Sequence, residues 1–454
     1  MIPLALVDIP ACRVIRGDAR AEITGVTIDS RVVRRGDLFV AIRGGSEHVE
    51  EAVQAGAIAV VVEEDAFERA GNVPNLLTTF SSIRVLQCIG AVNAAASNAI
   101  LIGVTGSTGK TSTKDAIAHL VGSQRRVVAA LEGHNNEIGY PLTLARIEAD
   151  TEVAVCELAM RGESQIAELC AIAAPSIGVI TNVGVAHLEL LGSPAAIAAA
   201  KAEIAHGIRT GGCVIIPFAE PLLDAYLPDD VEIVTFGDEG GSDIQLVDRR
   251  LLDDCQSLTY LVHGDLLTLE TNLVGRHHAR NLAAALAVCH VLGLDLGEAA
   301  ARARGIPSQR WRGENTALPG GAVVVNDAYN ANPASLEAAL RLLAETPTDG
   351  RRIAVLGSMA ELGEASARYH REAGALAARL GIDMVISVGD AARAYLDGVG
   401  GGVDGHAVAD VDAAVGCLAS LLGPGDRVLV KGSRSAGLEG IPGALAARLV
   451  EADE

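Results

Sequence analysis

A phosphate-binding pattern lies between residues 106 and 112. It consists of Gly106, Ser107, Thr108, Gly109, Lys110, Thr111 and Ser112. The backbone N–H groups of such a loop can surround phosphate oxygens, Lys110 can reach the β- and γ-phosphates, and the Thr111 hydroxyl can bind Mg²⁺. Val104 stands where the strict GxxxxGK[ST] pattern has its first glycine. A chance GKT in an unrelated turn is disfavoured, because an apolar run precedes the loop and a helical pattern follows it. The loop predicts nucleotide binding and leaves the reaction open.

Three more side chains are candidates for metal binding beside a triphosphate. Glu157 follows the run EVAVC, and His187 follows SIGVITNVGVA. Both fall near the carboxyl ends of predicted parallel strands, where ligands of open α/β sheets collect. Lys201 lies in the Ala-rich segment AAAKAEI. Taken singly, a solvated Glu157, a loop His187 and an exposed helix lysine at 201 are the simpler interpretations.

These residues must be positioned by α/β elements. Short β-branched runs alternate with Ala-rich helical segments, which predicts mostly parallel sheets. The length of 454 residues favours about three domains, which we place at residues 1–98, 99–311 and 312–454. The glycine-rich stretch from Gly398 to His406 is predicted to be a surface loop.

The charge balance excludes several classes of partner. Lys and Arg total 36 against 57 Asp and Glu, a formal charge of −21, so binding to nucleic acid or to an anionic membrane surface is not expected. No apolar run approaches the ~18 residues of a membrane span. The amino-terminal MIPLALVDIPACR has no basic region before its apolar run, unlike a secretory signal, so we expect a cytoplasmic chain.

Nine sequence blocks follow one another along the chain: GVTGSTGKTSTK, NNEIGYPLTL, ELAMRGESQIAEL, ITNVGVAHLELLGS, AKAEI, GRHHARNLAAA, NDAYNANPASLEAAL, AVLGSMAELGE and KGSRS. In these blocks, their order and their spacing, the chain resembles the Mur ligase family over essentially its whole length. NNEIG, DAYNANP, MAELG and KGSRS are characteristic of the branch that adds D-alanyl-D-alanine to UDP-N-acetylmuramoyl-tripeptide in peptidoglycan precursor synthesis. The resemblance implies an amino-terminal domain for the UDP end, a central P-loop ATPase domain and a Rossmann-like carboxyl-terminal domain. It implies an acyl-phosphate intermediate, with ATP and two Mg²⁺ as cofactors.

The resemblance also implies roles for residues around ATP. Thr111 and Glu157 match the first Mg²⁺ site, and His187 matches a ligand of the second. Lys201 matches a lysine that the family carries as a carbamate. Asn281 and Asp327 match the residues that contact adenine and ribose. Arg312 matches the arginine that closes over the γ-phosphate, with Arg310 as the alternative.

Further positions match the substrate-binding residues of the family. Ser30 and Arg31 belong to the DSR motif of the UDP end, and Asn135 and Asn136 match paired asparagines near the sugar-peptide. Lys431, Ser433 and Arg434 match the region that receives the amine and the peptide end. The implied substrates are UDP-N-acetylmuramoyl-tripeptide and D-alanyl-D-alanine, and we expect a monomer.

One departure keeps alternatives open. Ser46, Glu47 and His48 stand where the family has DGH, so a Mur-type ligase that joins another amine to another carboxylate is the alternative function. A nucleotide-binding regulatory protein without catalysis is a third hypothesis. It fits poorly with the presence of Glu157, His187 and Lys201.

Overall fold

The structure, a computed structural model, describes residues 1–184, 188–252 and 255–453. Within these ranges, three α/β units follow one another, each built on a mainly parallel sheet. The predicted α/β class is confirmed. The strands of the units span residues 4–79, 100–271 and 314–431, and the predicted domain limits fall between these spans. None of the described helices has the length and apolar character needed to cross a bilayer.

The first unit is a small sheet with a helix pair. Its elements are β1 (Leu4–Ala5), β2 (Arg13–Arg16), β3 (Glu22–Ile23), β4 (Gly25–Thr27), β5 (Asp37–Val40), α1 (Val49–Ala55), β6 (Ala59–Glu63), β7 (Leu76–Thr79) and α2 (Ser82–Ala95). The main sheet has the order β2-β7-β6-β5-β4. Strand β2 is its antiparallel edge, and β1 pairs with β3 outside it.

The second unit carries the phosphate-binding pattern. Its elements are β8 (Ile100–Thr105), α3 (Lys110–Val121), β9 (Val127–Ala129), α4 (Gly139–Ala145), β10 (Val153–Glu157), α5 (Gln165–Ile172), β11 (Ile177–Ile180), α6 (Leu188–Leu191), α7 (Pro194–His206), β12 (Cys213–Pro217), α8 (Pro221–Asp224), β13 (Glu232–Gly237), β14 (Ile244–Leu251), β15 (Gln256–Val262), β16 (Asp265–Thr271), α9 (Arg276–Val291) and α10 (Leu296–Ala301). The order is β16-β15-β14-β13-β12-β11-β8-β10-β9. Helices α3 and α9 contribute to the apolar layer on one face of the sheet, and α5 and α7 contribute to the layer on the other.

Part of this sheet departs from the predicted parallel pattern. Strands β14, β15 and β16 form antiparallel pairs at one edge. Buried and half-buried residues alternate along β15, as they do in a strand with one face on the core. The rest of the sheet, from β9 to β14, is parallel, so the carboxyl ends of β8, β10 and β11 meet at one edge.

The third unit repeats the alternation of strand and helix. Its elements are β17 (Glu314–Ala317), β18 (Val323–Asn326), α11 (Pro333–Glu345), β19 (Arg352–Leu356), α12 (Ser366–Arg379), β20 (Met384–Val388), α13 (Ala394–Val399), β21 (Asp404–Val408), α14 (Val411–Leu421), β22 (Arg427–Lys431) and α15 (Ile441–Asp453). The order is β17-β18-β22-β19-β20-β21, with only β17 antiparallel among these strands.

The predicted loop from Gly398 to His406 is partly wrong. Asp404, Gly405 and His406 begin β21 and pair with β20 in parallel register. The residues of this edge strand are exposed or half-buried. Because a glycine-rich stretch precedes it and it has no apolar run, its sequence does not indicate a strand. Backbone pairing with β20 overrides the low strand propensity of these residues.

The first and second units share a packed interface. Helix α2 lies against α4, and a Cβ atom added to Gly90 would lie 2.9 Å from Pro141. The buried Asn93 side chain donates hydrogen bonds to the carbonyls of Leu144 (2.8 Å) and Ile147 (2.9 Å). The amide thereby satisfies backbone acceptors at the end of α4.

Candidate active site

The phosphate-binding pattern forms the turn between β8 and α3. Strand β8 lies between β10 and β11, so the turn opens at the carboxyl edge of the parallel part of the sheet. Gly106 has φ +144° and Gly109 has φ +76°. Val104, the departure from the strict motif, is fully buried within β8. The glycines required by the turn are therefore at 106 and 109.

The residues after β11 hold this turn in place. Thr181 Oγ1 donates to the Thr108 carbonyl at 2.5 Å, and Asn182 Oδ1 accepts from the Thr108 N–H at 3.0 Å. Ser107 Oγ accepts from Gly184 N at 2.8 Å. Thr181 and Asn182 were not singled out from the sequence, although their place after a parallel strand could have indicated them. The turn is preorganised by these contacts.

Gly106→Ala is expected to lower both the affinity for ADP, by at least about tenfold, and the melting temperature. A Cβ atom at 106 would lie 1.9 Å from Thr181 Oγ1, and the φ of +144° is unfavourable for a side-chain-bearing residue. Calorimetric titration and thermal unfolding measure the two effects. Gly192→Ala is the control, because Gly192 also has a positive φ of +78° and has nothing near its added Cβ. Unchanged ADP affinity in Gly106→Ala would contradict the assignment of the loop.

Lys110 lies at the mouth of the turn. Its Nζ atom donates to the Gly106 carbonyl at 2.8 Å. Burial lowers the pKa of Lys110, the nearby Glu157 carboxylate partly offsets this, and Arg312 adds to the lowering. The charges of Lys110, Glu157 and Arg312, from three parts of the chain, therefore interact electrostatically beside the turn.

Glu157 ends β10 and is buried beside the turn. Its Oε1 atom accepts from Asn135 Nδ2 at 2.9 Å. Asn136, the second of the predicted pair, has a local role, since its Oδ1 accepts from the N–H groups of Ile138 and Gly139 before α4. Of the two asparagines, Asn135 lines the cleft described below and Asn136 does not.

Lys201 is inside the second unit. Its side chain lies on α7 and the residue is 1% exposed, so the interpretation as an exposed helix lysine is wrong. Among the described residues, no hydrogen bond or ion pair of its Nζ atom is found. Burial lowers the pKa of Lys201 well below its usual value, and the charge of Lys110 lowers it further. Burial of this kind favours the neutral amine over the ammonium form. His187, the other predicted metal ligand, lies outside the described residues.

The third unit brings Arg312 to the turn. Arg312 Nη2 lies 3.5 Å from Thr111 Oγ1, and the guanidinium stacks over Tyr329 at 3.9 Å from the ring centre. Arg310 lies over Trp311 instead and does not line the cleft. The geometry therefore favours Arg312 over Arg310 as the arginine at the phosphates.

Asp327, Lys431 at the end of β22, and Ser433 and Arg434 after this strand face the same space. Lys431 Nζ binds Asp327 Oδ2 at 2.6 Å and is 2% exposed. Ser433 Oγ accepts from Ala360 N at 2.8 Å and donates to the Ala331 carbonyl at 3.2 Å. Arg434 pairs with Glu439 at 2.8 Å. Lys431 and Ser433 hold loops of the third unit together. The exposed Arg434 side chain lines the cleft and presents guanidinium N–H groups to it.

Helix α9 supplies the opposite wall. A Cβ atom at Gly109 would lie 2.6 Å from Asn281 Oδ1, so the buried Asn281 amide touches the turn. Burial lowers the pKa of His277 to about 4, and the charges of Lys431 and Arg249 act in the same direction. His277 is therefore neutral at physiological pH.

These walls enclose one large cleft of about 1640 Å³ between the second and third units. The predicted residues that line it are Ser107, Thr108, Gly109, Lys110, Thr111, Ser112, Asn135, Glu157, Asn281, Arg312, Asp327, Lys431, Ser433 and Arg434. The cleft is lined by several Lys and Arg side chains, including Arg276 and Arg280, although the whole chain carries a formal charge of −21. The cleft is suited to an anionic ligand that spans two units.

Ser30 and Arg31 lie apart from this cleft, in the first unit. Ser30 Oγ donates to Glu51 Oε2 at 2.8 Å. The exposed Arg31 binds Asp29 at 2.7 Å, and this hydrogen-bonded pair lowers the pKa of Asp29 to about 2. The structure does not bring these two residues together with the others.

Comparison with known proteins shows three successive family matches. Residues 22–97 match the Mur ligase family, catalytic domain, residues 104–289 match the Mur ligase middle domain, and residues 311–434 match the Mur ligase, glutamate ligase domain. A UDP-N-acetylmuramoyl-tripeptide–D-alanyl-D-alanine ligase of Synechocystis sp. is 36% identical, covering 92% of this chain and 90% of the relative. A ligase of the same name from Mycobacterium tuberculosis is 35% identical, with 94% and 93% covered.

Solved structures are similar over the same length. MurF from Acinetobacter baumannii superposes with a TM-score of 0.83 at 25% identity, covering 94% of both chains. The MurF ligase from Thermotoga maritima in complex with ADP gives 0.82 at 28% identity, covering 94% of this chain and 98% of that one. The fold and the order of the units are thus similar along the whole chain.

Proposed function

This chain belongs to the Mur ligase family, and we propose that it joins D-alanyl-D-alanine to UDP-N-acetylmuramoyl-tripeptide with conversion of ATP to ADP and phosphate. The observation that carries the proposal is the shared cleft, in which Lys110 of the second unit and Arg312 of the third face one space. The similarity to ligases of this name over more than nine-tenths of the chain supports it. The product belongs to peptidoglycan precursor synthesis.

The first step brings two anions together. A carboxylate oxygen of the tripeptide attacks the γ-phosphorus, the bond to the β-phosphate oxygen breaks, and ADP leaves the acyl phosphate. Lys110 and Arg312 offset the repulsion, and Thr108, Asn182 and Thr181 keep the loop amides aimed at the phosphates. Most of the rate must come from such positioning and charge neutralisation.

The second step forms the amide. The amine nitrogen of D-alanyl-D-alanine attacks the acyl carbon and a tetrahedral intermediate forms. The carbon–oxygen bond to phosphate then breaks, and the proton lost by the nitrogen leaves with the inorganic phosphate. Arg434, an exposed guanidinium on the third-unit wall, binds the carboxylate of the incoming dipeptide. Asp327 and Asn281 hold the ribose and adenine. Ser30, Arg31 and Asn135 serve the UDP sugar end, and Asn136 holds the turn before α4 that follows Asn135. Lys431 and Ser433 shape the peptide side, and the chain acts as a cytoplasmic monomer.

The donors at the turn fit Mg²⁺, which prefers oxygen ligands. Thr111 supplies a hydroxyl and Glu157 a buried carboxylate. Lys201 fits as a ligand after its neutral amine adds CO₂, because the carbamate presents oxygen. His187 would complete the second of two sites. Bound Mg²⁺ supplies charge neutralisation at the phosphates.

A coupled ADP-release assay tests the proposal. Turnover is expected with ATP, D-alanyl-D-alanine and UDP-N-acetylmuramoyl-tripeptide, whose third residue is either diaminopimelate or lysine. Omission of the tripeptide should abolish ADP release, and omission of the dipeptide should abolish continued turnover and leave at most one ADP per enzyme. No turnover with either tripeptide, together with turnover on another acid and amine, would favour the alternative ligase suggested by Ser46, Glu47 and His48. ATP binding without any amide product would favour the regulatory hypothesis.

A further inference from the structure

The segment between the second and third units contacts both sides of the cleft in turn. Gln309 binds Asp115 on α3. Trp311 lies under Arg434 of the third unit, and Arg312 reaches Thr111 of the second. Adjacent residues of one short segment thus contact the predicted amine site and the predicted nucleotide site.

The backbone at Trp311 is held in an unusual conformation. Its φ is +59°, a region that residues with bulky side chains rarely adopt. The Trp311 N–H donates to Glu314 Oε2 at 3.3 Å, and the Trp311 carbonyl accepts from Tyr329 N at 3.1 Å. These contacts keep the half-buried indole turned into the cleft, which it lines.

The indole is stacked with the guanidinium of Arg434. The guanidinium carbon lies 4.2 Å from the ring centre, and Arg310 lies 4.8 Å from the same ring. Glu439 binds one Arg434 nitrogen at 2.8 Å, yet the Arg434 side chain remains 54% exposed. A guanidinium held by its face and by one edge keeps its other in-plane N–H groups for a carboxylate.

We propose that Trp311 is a positioning residue for the amine substrate. It stacks on Arg434 and orients the remaining N–H donors toward the carboxylate of D-alanyl-D-alanine. This inference rests on the proposed function. Trp311 takes no part in bond making, and its effect acts through Arg434. Because Trp311 is joined directly to Arg312, a nucleotide that fixes Arg312 also restricts the movement of the indole.

Steady-state kinetics on Trp311→Leu, Trp311→Phe and Arg434→Ala test the proposal. Trp311→Leu should raise the KM for D-alanyl-D-alanine about fivefold, the size expected for loss of one cation–π contact. Its kcat and the KM values for ATP and the UDP substrate should stay within about twofold. Trp311→Phe should recover most of the affinity. In the Arg434→Ala background, Trp311→Leu should raise the KM for D-alanyl-D-alanine by less than a further twofold, because the two changes remove the same contact.

Arg368→Ala is the matched control, since Arg368 makes a comparable stack with Tyr369 on α12 and does not line the cleft. Its kinetics should equal those of the wild type. The proposal is overturned by an unchanged KM for the dipeptide in Trp311→Leu, by an equal rise in all three KM values, or by additive effects with Arg434→Ala. Absence of wild-type turnover with D-alanyl-D-alanine would instead reject the proposed function.

A measurement on the unaltered chain covers the case in which Trp311→Leu fails to fold. Trp311 is the sole tryptophan of the sequence. Emission excited at the red edge of tryptophan absorption, where the 6 tyrosines absorb little, therefore reports the surroundings of this one indole. Adding D-alanyl-D-alanine to the enzyme with ADP and the UDP substrate should shift or quench the emission with saturation. Emission that stays constant at concentrations saturating the kinetics would overturn the proposal.

Discussion

Lys110→Ala is expected to lower kcat by about a hundredfold to a thousandfold and to leave the fold intact. The reaction drives a carboxylate against a triphosphate, and loss of one preorganised charge at the reacting group commonly costs ~10²–10³ in rate. Within the described residues, the hydrogen bond lost is the one from Nζ to the Gly106 carbonyl. That bond is local to the turn, so the melting temperature should change little.

The ADP-release assay and thermal unfolding together measure this prediction. Lys110→Arg is the comparison variant, because it keeps the charge but replaces the compact ammonium by a planar group that fits the turn less well. It should retain more activity than Lys110→Ala. Turnover of Lys110→Ala above about a tenth of the wild-type value, with normal folding, would refute the role of Lys110 at the phosphates.

The nucleotide loop could be predicted because its parts are contiguous. Strand β8, the glycines at 106 and 109 and helix α3 follow one another, and the positive φ at each glycine explains the residue type. The Val104 departure proved harmless because that side chain belongs to the buried strand. The geometry of this part of the site could therefore be predicted from a short stretch of contiguous sequence.

Contacts between residues far apart in the sequence could not be predicted in the same way. The Arg312–Thr111 contact joins residues 201 positions apart, and Lys431 reaches Asp327 across 104 positions. Resemblance to a family indicated that these residues matter, but it did not indicate that Lys431 binds Asp327 or that Trp311 lies under Arg434. The Arg312–Thr111 contact depends on how two separate sheets are oriented, and the Lys431–Asp327 pair depends on β18 and β22 being neighbours in one sheet. Periodicity within one element determines neither arrangement.

The burial of Lys201 illustrates a different limit. Helix α7 is rich in alanine on all sides, so its sequence has no polar face that would show which way Lys201 points. The exposed interpretation was reasonable for an isolated helix, because lysine is rarely fully buried. The packing of α7 on the sheet shows that Lys201 is buried, because it lies on the side of the helix that faces the apolar layer of the second unit.

Lys201→Ala is expected to lower kcat by at least about a hundredfold and to regain part of it with a short-chain carboxylate. The amine of Lys201 is buried, and burial lowers its pKa well below the usual value. Its neutral form can therefore attack CO₂, forming a nitrogen–carbon bond and losing one proton. The proposed carbamate would supply oxygen donors at a position where the charge of Lys110 acts, and loss of a Mg²⁺ ligand at a reacting phosphate would cost several kcal/mol.

The matched variant is Lys201→Met, which fills the same space and cannot add CO₂. Alanine leaves a cavity that acetate or propionate can enter, whereas methionine leaves none, so rescue is expected in Lys201→Ala alone. Lysine occurs only at positions 110, 114, 201 and 431, so peptide mapping after trapping of the carbamate can assign the site unambiguously. Full activity in CO₂-depleted buffer with unmodified Lys201 would show that the enzyme works with the unmodified Lys201 amine. The oxygen-donor argument would then fail, because an ammonium or amine at this buried position offers Mg²⁺ no oxygen.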